Sequence, residues 1–314
     1  MSGYAAGGSP GNNLTEKYDD VSNTWSYKAN LNLGRTNISG FSLNGYGYTA
    51  GGFSGYTRGE VEKYDTTANT WTQKTSLNSG RNSLSGFSLN GFGYISGGHN
   101  LYYDASRVDI EKYDDAANTW TYKANMNTGK IDHASFSLNG FGYTAGGQAA
   151  YGDPPVVTAV VEKYDDTANT WTPKTSLNTA RRQITGFSLN GYGYTAGGKT
   201  GDFSYRAETE KYDDTANTWT QKTSLNTARS YLAGFSLNNY GYTVGGYATS
   251  QTEKYDDSAN TWTVKQPLNT GKANLAGFAF DEAAVTNSLG RSSSRSSGAS
   301  VSGGIECGKG KRKR

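Results

Sequence analysis

Residues 62–98 read EKYDTTANTWTQKTSLNSGRNSLSGFSLNGFGYISGG, and nearly every feature of this stretch returns five more times along the chain. The block Glu-Lys-Tyr-Asp begins at Glu16, Glu62, Glu111, Glu162, Glu210 and Glu253. Nine positions after each glutamate stands a tryptophan: Trp25, Trp71, Trp120, Trp171, Trp219 and Trp262. Ten further on comes a cation, and six beyond that a phenylalanine, from Phe41 to Phe278, with no insertion or deletion in any copy. A Gly-Gly pair then closes the unit, first at Gly51-Gly52 and last at Gly245-Gly246. Such a fixed period is the signature of stacked supersecondary units, each unable to bury its apolar face alone.

Within the unit, Ser83–Leu89 alternates apolar and polar and runs into Asn90-Gly91, a two-residue hairpin signal because both central positions need φ > 0. Asn44-Gly45, Asn139-Gly140 and Asn190-Gly191 repeat it, and Asn238-Asn239 is a tolerated variant. Phe92–Ser96 predicts a second strand, Glu-Lys-Tyr-Asp a third, and Thr-Trp a fourth after a tight turn. Asn stands at one place in all six of those turns, where a left-handed residue is expected. No helical periodicity is found in residues 1–280. Four short strands per unit of this length predict an all-β chain, a six-bladed β-propeller of four-stranded antiparallel blades.

The two ends of the repeat region support closure. Gly3-Tyr4-Ala5-Ala6-Gly7-Gly8 reads as a second strand without its first, and Asn274–Phe280 as a first strand without its second. Pairing the N-terminal with the C-terminal strand would seal the ring and remove exposed sheet edges. The expected domains are a propeller over residues 1–282 and a disordered, Ser/Gly-rich basic tail over 283–314.

Gly-Gly, Glu-Lys-Tyr-Asp, Asn-Thr-Trp and a basic residue before the next unit together resemble the kelch repeat, over residues 3–280. One departure is that the family's Asp-Pro turn stands here as Asp-Asp or Asp-Thr. The resemblance implies the propeller, but it leaves function open, since the family includes adaptors, actin binders and some enzymes.

All length variation falls between Gly-Gly and the next glutamate, at residues 9–15, 53–61, 99–110, 148–161, 199–209 and 247–252. In an up-and-down blade these loops share one face, opposite the uniform hairpins and turns, and loops on a rigid frame are where binding resides. The loops carry aromatics, Tyr56, Tyr102, Tyr103, Tyr151, Phe203, Tyr205 and Tyr247, and two cations are extras not repeated elsewhere, Arg206 and, beside the repeated Arg181, Arg182. These are the binding candidates. The repeated cations Arg35, Arg81, Lys130, Arg181, Arg229 and Lys272 allow two readings: a positive ring facing the central channel, or a structural pairing with a carboxylate or carbonyl.

Composition bounds the rest. The tail holds seven Lys or Arg against one acid, so the overall +3 hides −3 in residues 1–282, which gives a nucleic-acid face there no bulk electrostatic support. The run from Lys309 to Arg314 reads as an import signal, a phosphate binder or a solvated end. The one cysteine, Cys307, excludes an internal disulfide, and the copper-radical kelch oxidases lack their crosslinked cysteine here. No cofactor or metal is expected. Neither a signal peptide nor an apolar run of membrane-spanning length is visible, so a soluble chain in the cytoplasm, or in the nucleus through its tail, is the expectation. An interaction scaffold, monomeric, binding a protein or an acidic peptide, is the first reading. The alternative is an enzyme on a small acidic sugar or related anion at the channel, as the resemblance to carbohydrate-isomerising kelch enzymes implies, with Arg182, Lys130 and His133 as the imitating set.

Overall fold

The Asn-Gly pairs make the turns their chemistry demands. Asn44, Asn90, Asn139 and Asn190 hold φ of 52–54°, and the glycines after them 78–81°, which closes two-residue hairpins whose twist matches the flanking strands. The same logic sets the second turn of each unit. Asn69 sits at φ 52°, and Asp65 Oδ1 accepts the N–H groups of Thr67 and Ala68 at 2.8 and 3.0 Å.

The computed structural model describes residues 1–9, 12–100, 106–150 and 155–282. Six four-stranded antiparallel sheets form a ring, five of them ordered from the axis outward along the chain and one with the last strand of the sequence innermost. Blade 1 comprises Ala276–Phe280, Ser2–Ala6, Thr15–Asp19 and Thr24–Lys28. Blade 2 comprises Ser39–Leu43, Tyr46–Ala50, Val61–Asp65 and Thr70–Lys74. Blade 3 runs from Ser85–Leu89 to Thr119–Lys123, and blade 4 from Ala134–Leu138 to Thr170–Lys174. Blade 5 runs from Thr185–Leu189 to Thr218–Lys222, and blade 6 from Ala233–Leu237 to Thr261–Lys265. Two extra strand pairs stand on the variable loops, Phe53–Ser54 with Tyr56–Thr57 and Gln148–Ala150 with Val156–Val157. No helix among the described residues is long and apolar enough to cross a membrane.

The ring closes as the chain ends predict. Ser2–Ala6 pairs antiparallel with Ala276–Phe280, in a register that sets Tyr4 opposite Phe278 and Ala6 opposite Ala276. Residues 283–314, including the expected basic tail and Cys307, lie outside the described residues.

The core sits between blades rather than within them. Each inner-strand phenylalanine lies against a glycine of the following blade; a Cβ on Gly47 would come within 2.1 Å of the Phe278 ring. Each tryptophan docks backward. Trp71 packs edge-on against Phe278 at 6.2 Å, and its Nε1 donates to Thr15 Oγ1 at 3.1 Å and to the Ala29 carbonyl at 3.0 Å. A large ring thus reaches the preceding blade with its polar tip satisfied.

Truncation of that anchor leaves a cavity between two blades. Trp71→Ala is expected to lower the unfolding free energy by about 3–5 kcal/mol, and the exposed Thr72→Ala by less than about 0.5 kcal/mol, in denaturant titration. Equal losses for the two would contradict this packing.

Candidate functional site

The six repeated cations stand just before the innermost strands, where a channel-facing ring was one expectation, but burial turns them elsewhere. Arg35, Arg81, Lys130 and Arg181 have no exposed surface, and Arg229 and Lys272 keep 2% and 1%. Each meets the glutamate of the blade it introduces. Arg35 Nη2 lies 3.0 Å from Glu62, Lys130 3.4 Å from Glu162, Arg181 2.7 Å from Glu210 and Lys272 3.2 Å from Glu16. Arg81 pairs likewise with Glu111, and Arg229 with Glu253. Arg35 Nη1 also donates to the Gly51 and Glu60 carbonyls at 2.7 and 2.6 Å. A charge without water must be compensated this closely. The positive ring is therefore corrected to six internal ion pairs.

The central cavity is lined instead by the start of each inner strand and by the residue two places after each cation: Asn37, Ser83, Asp132, Gln183, Tyr231 and Asn274. All six hold φ between 52° and 60°, unusual for residues with a side chain. The cause is a closed circle of backbone hydrogen bonds. Asn37 N–H donates to Asn274 at 3.0 Å, Ser83 to Asn37 at 3.1 Å, and Asp132 to Ser83 at 2.9 Å. Gln183 donates to Asp132 at 2.7 Å, Tyr231 to Gln183 at 3.1 Å, and Asn274 to Tyr231 at 3.0 Å. The circle rims a cavity of about 120 Å³. Sequence reasoning passed over this position. Its signal was a residue that changes in almost every copy between an unvarying cation and an unvarying phenylalanine.

The circle is uniform in backbone and uneven in chemistry. Burial raises the Asp132 carboxyl above its usual range, against the opposing pull of Ser83, Arg182 and Gln183. Burial also raises the Tyr231 phenol. Gln183 is 5% exposed, and its Oε1 has no hydrogen-bond partner among the described residues. His133 takes a slot that is Ile38, Leu84, Ile184, Leu232 or Leu275 in the other units. Its Nε2 lies 2.9 Å from Ser96 Oγ. Burial, with the nearby Lys130 charge, pulls it down to about 3. Lys130 is itself pulled down to about 8 by burial, opposed by Glu162. Arg182, Lys130 and His133 therefore do not assemble into one open set.

Outside the circle, the variable loops of blades 5 and 6 bring several candidates together. Arg182 and Lys199 exchange backbone hydrogen bonds at 2.9 and 2.8 Å. The Arg182 guanidinium lies 5.5 Å from the Phe203 ring, and its Nη1 donates to Gln148 Oε1 at 2.9 Å. Lys199 Nζ sits 4.3 Å from the Tyr205 ring, which stacks on Tyr247 at 6.2 Å. Phe203, Tyr205 and Tyr247 are 51%, 40% and 60% exposed. Arg206, by contrast, is paired with Glu208 at 3.0 Å. Tyr56 belongs to blade 2, across the ring from blade 5, and lies under Arg58 at 3.5 Å. Tyr102, Tyr103 and Tyr151 fall outside the described residues.

No family profile and no curated protein matches the chain. Among solved structures, that of YjhT is similar, with a TM-score of 0.71 at 18% identity over 84% of this chain and 94% of that one. At that identity the likeness extends to the fold alone, a six-bladed β-propeller.

His133 makes a pH test. Between about pH 6.5 and 3 the unfolded chain binds a proton at this residue and the folded chain does not, so stability falls as pH falls through that window. His133→Leu, the residue of three sister slots, should remove this share, about 2–3 kcal/mol of the loss between pH 7 and pH 4 in denaturant titrations. An unchanged loss would show that the imidazole protonates freely in the folded state.

Proposed function

We propose that this chain is a kelch-type propeller that acts as an interaction module. It grips a protein or peptide partner through its variable face, in the sector of blades 5 and 6. The observation that supports this most is a contrast of charge. The six frame cations are each neutralised by a buried glutamate, whereas Arg182 and Lys199 make no ion pair within 4 Å among the described residues. Those two cations stand among three exposed aromatic rings. Clustered aromatics and an arginine are the side chains that dominate protein interfaces. Two neighbouring cations favour an acidic group on the partner, with which the guanidinium can form paired hydrogen bonds. The kelch reading itself rests on the six-fold recurrence of Gly-Gly, Glu-Lys-Tyr-Asp and Asn-Thr-Trp.

The test begins with a partner recovered on the intact protein and then titrated against variants. Arg182→Glu with Lys199→Glu should weaken binding at least about tenfold, chiefly through faster dissociation and with unchanged melting. Tyr56→Ala, across the ring, should leave affinity as it was. Full affinity in the charge-reversed protein would remove this sector from consideration.

A further inference from the structure

In five of the six units the lysine of Glu-Lys-Tyr-Asp bridges its blade to the next. Lys63 meets Asp115 at 2.9 Å, Lys112 meets Asp166 at 2.7 Å and Lys163 meets Asp214 at 2.9 Å. Lys211 meets Asp257 at 2.9 Å, and Lys254 meets Asp20 at 3.0 Å. In every case the acid is the residue that directly follows Tyr-Asp in the neighbouring blade. At the last of these junctions the second-strand tyrosine uses the same acid, with Tyr242 Oη donating to Asp20 at 2.5 Å.

The sixth junction, from blade 1 to blade 2, lacks this acid. The turn of blade 2 carries Thr66 at the place where Asp stands in the other five. Lys17 would be left facing a hydroxyl. Instead Glu282, just past the closing strand, brings its carboxylate to Lys17 at 2.6 Å and accepts from Tyr4 Oη at 2.7 Å, while Tyr4 Oη and Thr66 Oγ1 lie 2.8 Å apart. The two contacts that Asp20 makes at the junction of blades 6 and 1 are both reproduced, from a residue 265 positions away from Lys17.

The same stretch departs from its sisters twice more. Phe280 replaces the leucine of the other inner strands and stacks on Tyr4 at 5.0 Å, nearly parallel. Ala279 replaces the serine whose hydroxyl, as in Ser42 to Ala279 at 2.7 Å, ties each inner strand to the carbonyl of the preceding one. This strand is also the one inner strand with no hairpin to its sheet neighbour, since Ser2–Ala6 belongs to the other end of the sequence.

We propose that Glu282 is a latch, supplying Lys17 and Tyr4 from beyond the closing strand with the carboxylate that the blade 2 turn lacks, so that these two groups of blade 1, and the Tyr4 link to Thr66 of blade 2, stay satisfied only while residues 280–282 are docked. The strap replaces a turn residue that cannot leave with a segment that can, which makes this junction the conditional one of the six. It also fixes residue 282 on the rim of uniform turns, opposite Arg182 and Lys199. The latch is thus independent of the binding face.

A double-mutant cycle tests it. Glu282→Ala should lower the melting temperature by about 2–4 °C and speed amide exchange in residues 2–6 and 276–280, leaving the outer strands of blades 3–5 unchanged. Thr66→Asp, which installs the residue of the other five turns, should restore both readouts in the Glu282→Ala background. In the native background the same change should give no gain, because two carboxylates would compete for one lysine. Unchanged melting and exchange in Glu282→Ala would overturn the proposal, as would an effect of Thr66→Asp that is equal in both backgrounds.

Discussion

Every blade junction rests on a buried glutamate that has no water to lean on. Glu62 is fully buried in the third strand of blade 2, and three donor groups converge on it. One oxygen takes the Arg35 guanidinium, and the other takes both the backbone N–H of Asn32, at 2.8 Å, and its side-chain amide, at 2.7 Å. Asn32 and Arg35 lie on the connection arriving from blade 1, so the carboxylate clamps the incoming chain to the blade it is about to build. A lone carboxylate in such a place would be strongly destabilising, and a lone guanidinium equally so. The pair is tolerated because each charge is matched and its remaining hydrogen-bonding capacity filled. This is why Glu and the cation recur together without exception.

Holding that connection still has a consequence at the axis. Two residues after the cation the chain must turn into the inner strand, and it does so through a left-handed residue whose N–H finds the preceding blade's equivalent carbonyl. The backbone circle therefore follows from the clamp. Because the circle is made by main-chain atoms, its side chains are free to differ, and they do, from Asn37 to Tyr231. Rigid frame and variable decoration are separated within a span of three residues.

Departures from the repeat come in compensating contacts. Ser96 stands where the other blades carry alanine or valine, and it is the hydroxyl that His133 reaches. Thr66 stands for an aspartate, and Glu282 covers the loss. A buried polar group needs a partner nearby, so one change in a repeated core is tolerable only with a second. The cations Arg182 and Lys199 are different, since neither makes an ion pair within 4 Å among the described residues.

Strand number, hairpins and ring closure were legible in the sequence because each depends on residues close together along the chain. Asn-Gly demands its turn wherever it stands, and half a blade at either end calls for its complement. The direction of the six cations was not legible. A cation followed by an inner strand is compatible with a channel lining or a core pair, and only the position of Glu62, 27 residues from Arg35, decides between them. The gathering of Arg182, Lys199, Tyr205 and Tyr247 into one sector, with Tyr56 left across the ring, likewise comes from loops of different blades meeting in space. Local turn chemistry is written into neighbouring residues, whereas burial and charge pairing are settled among residues that become neighbours only once the ring has closed.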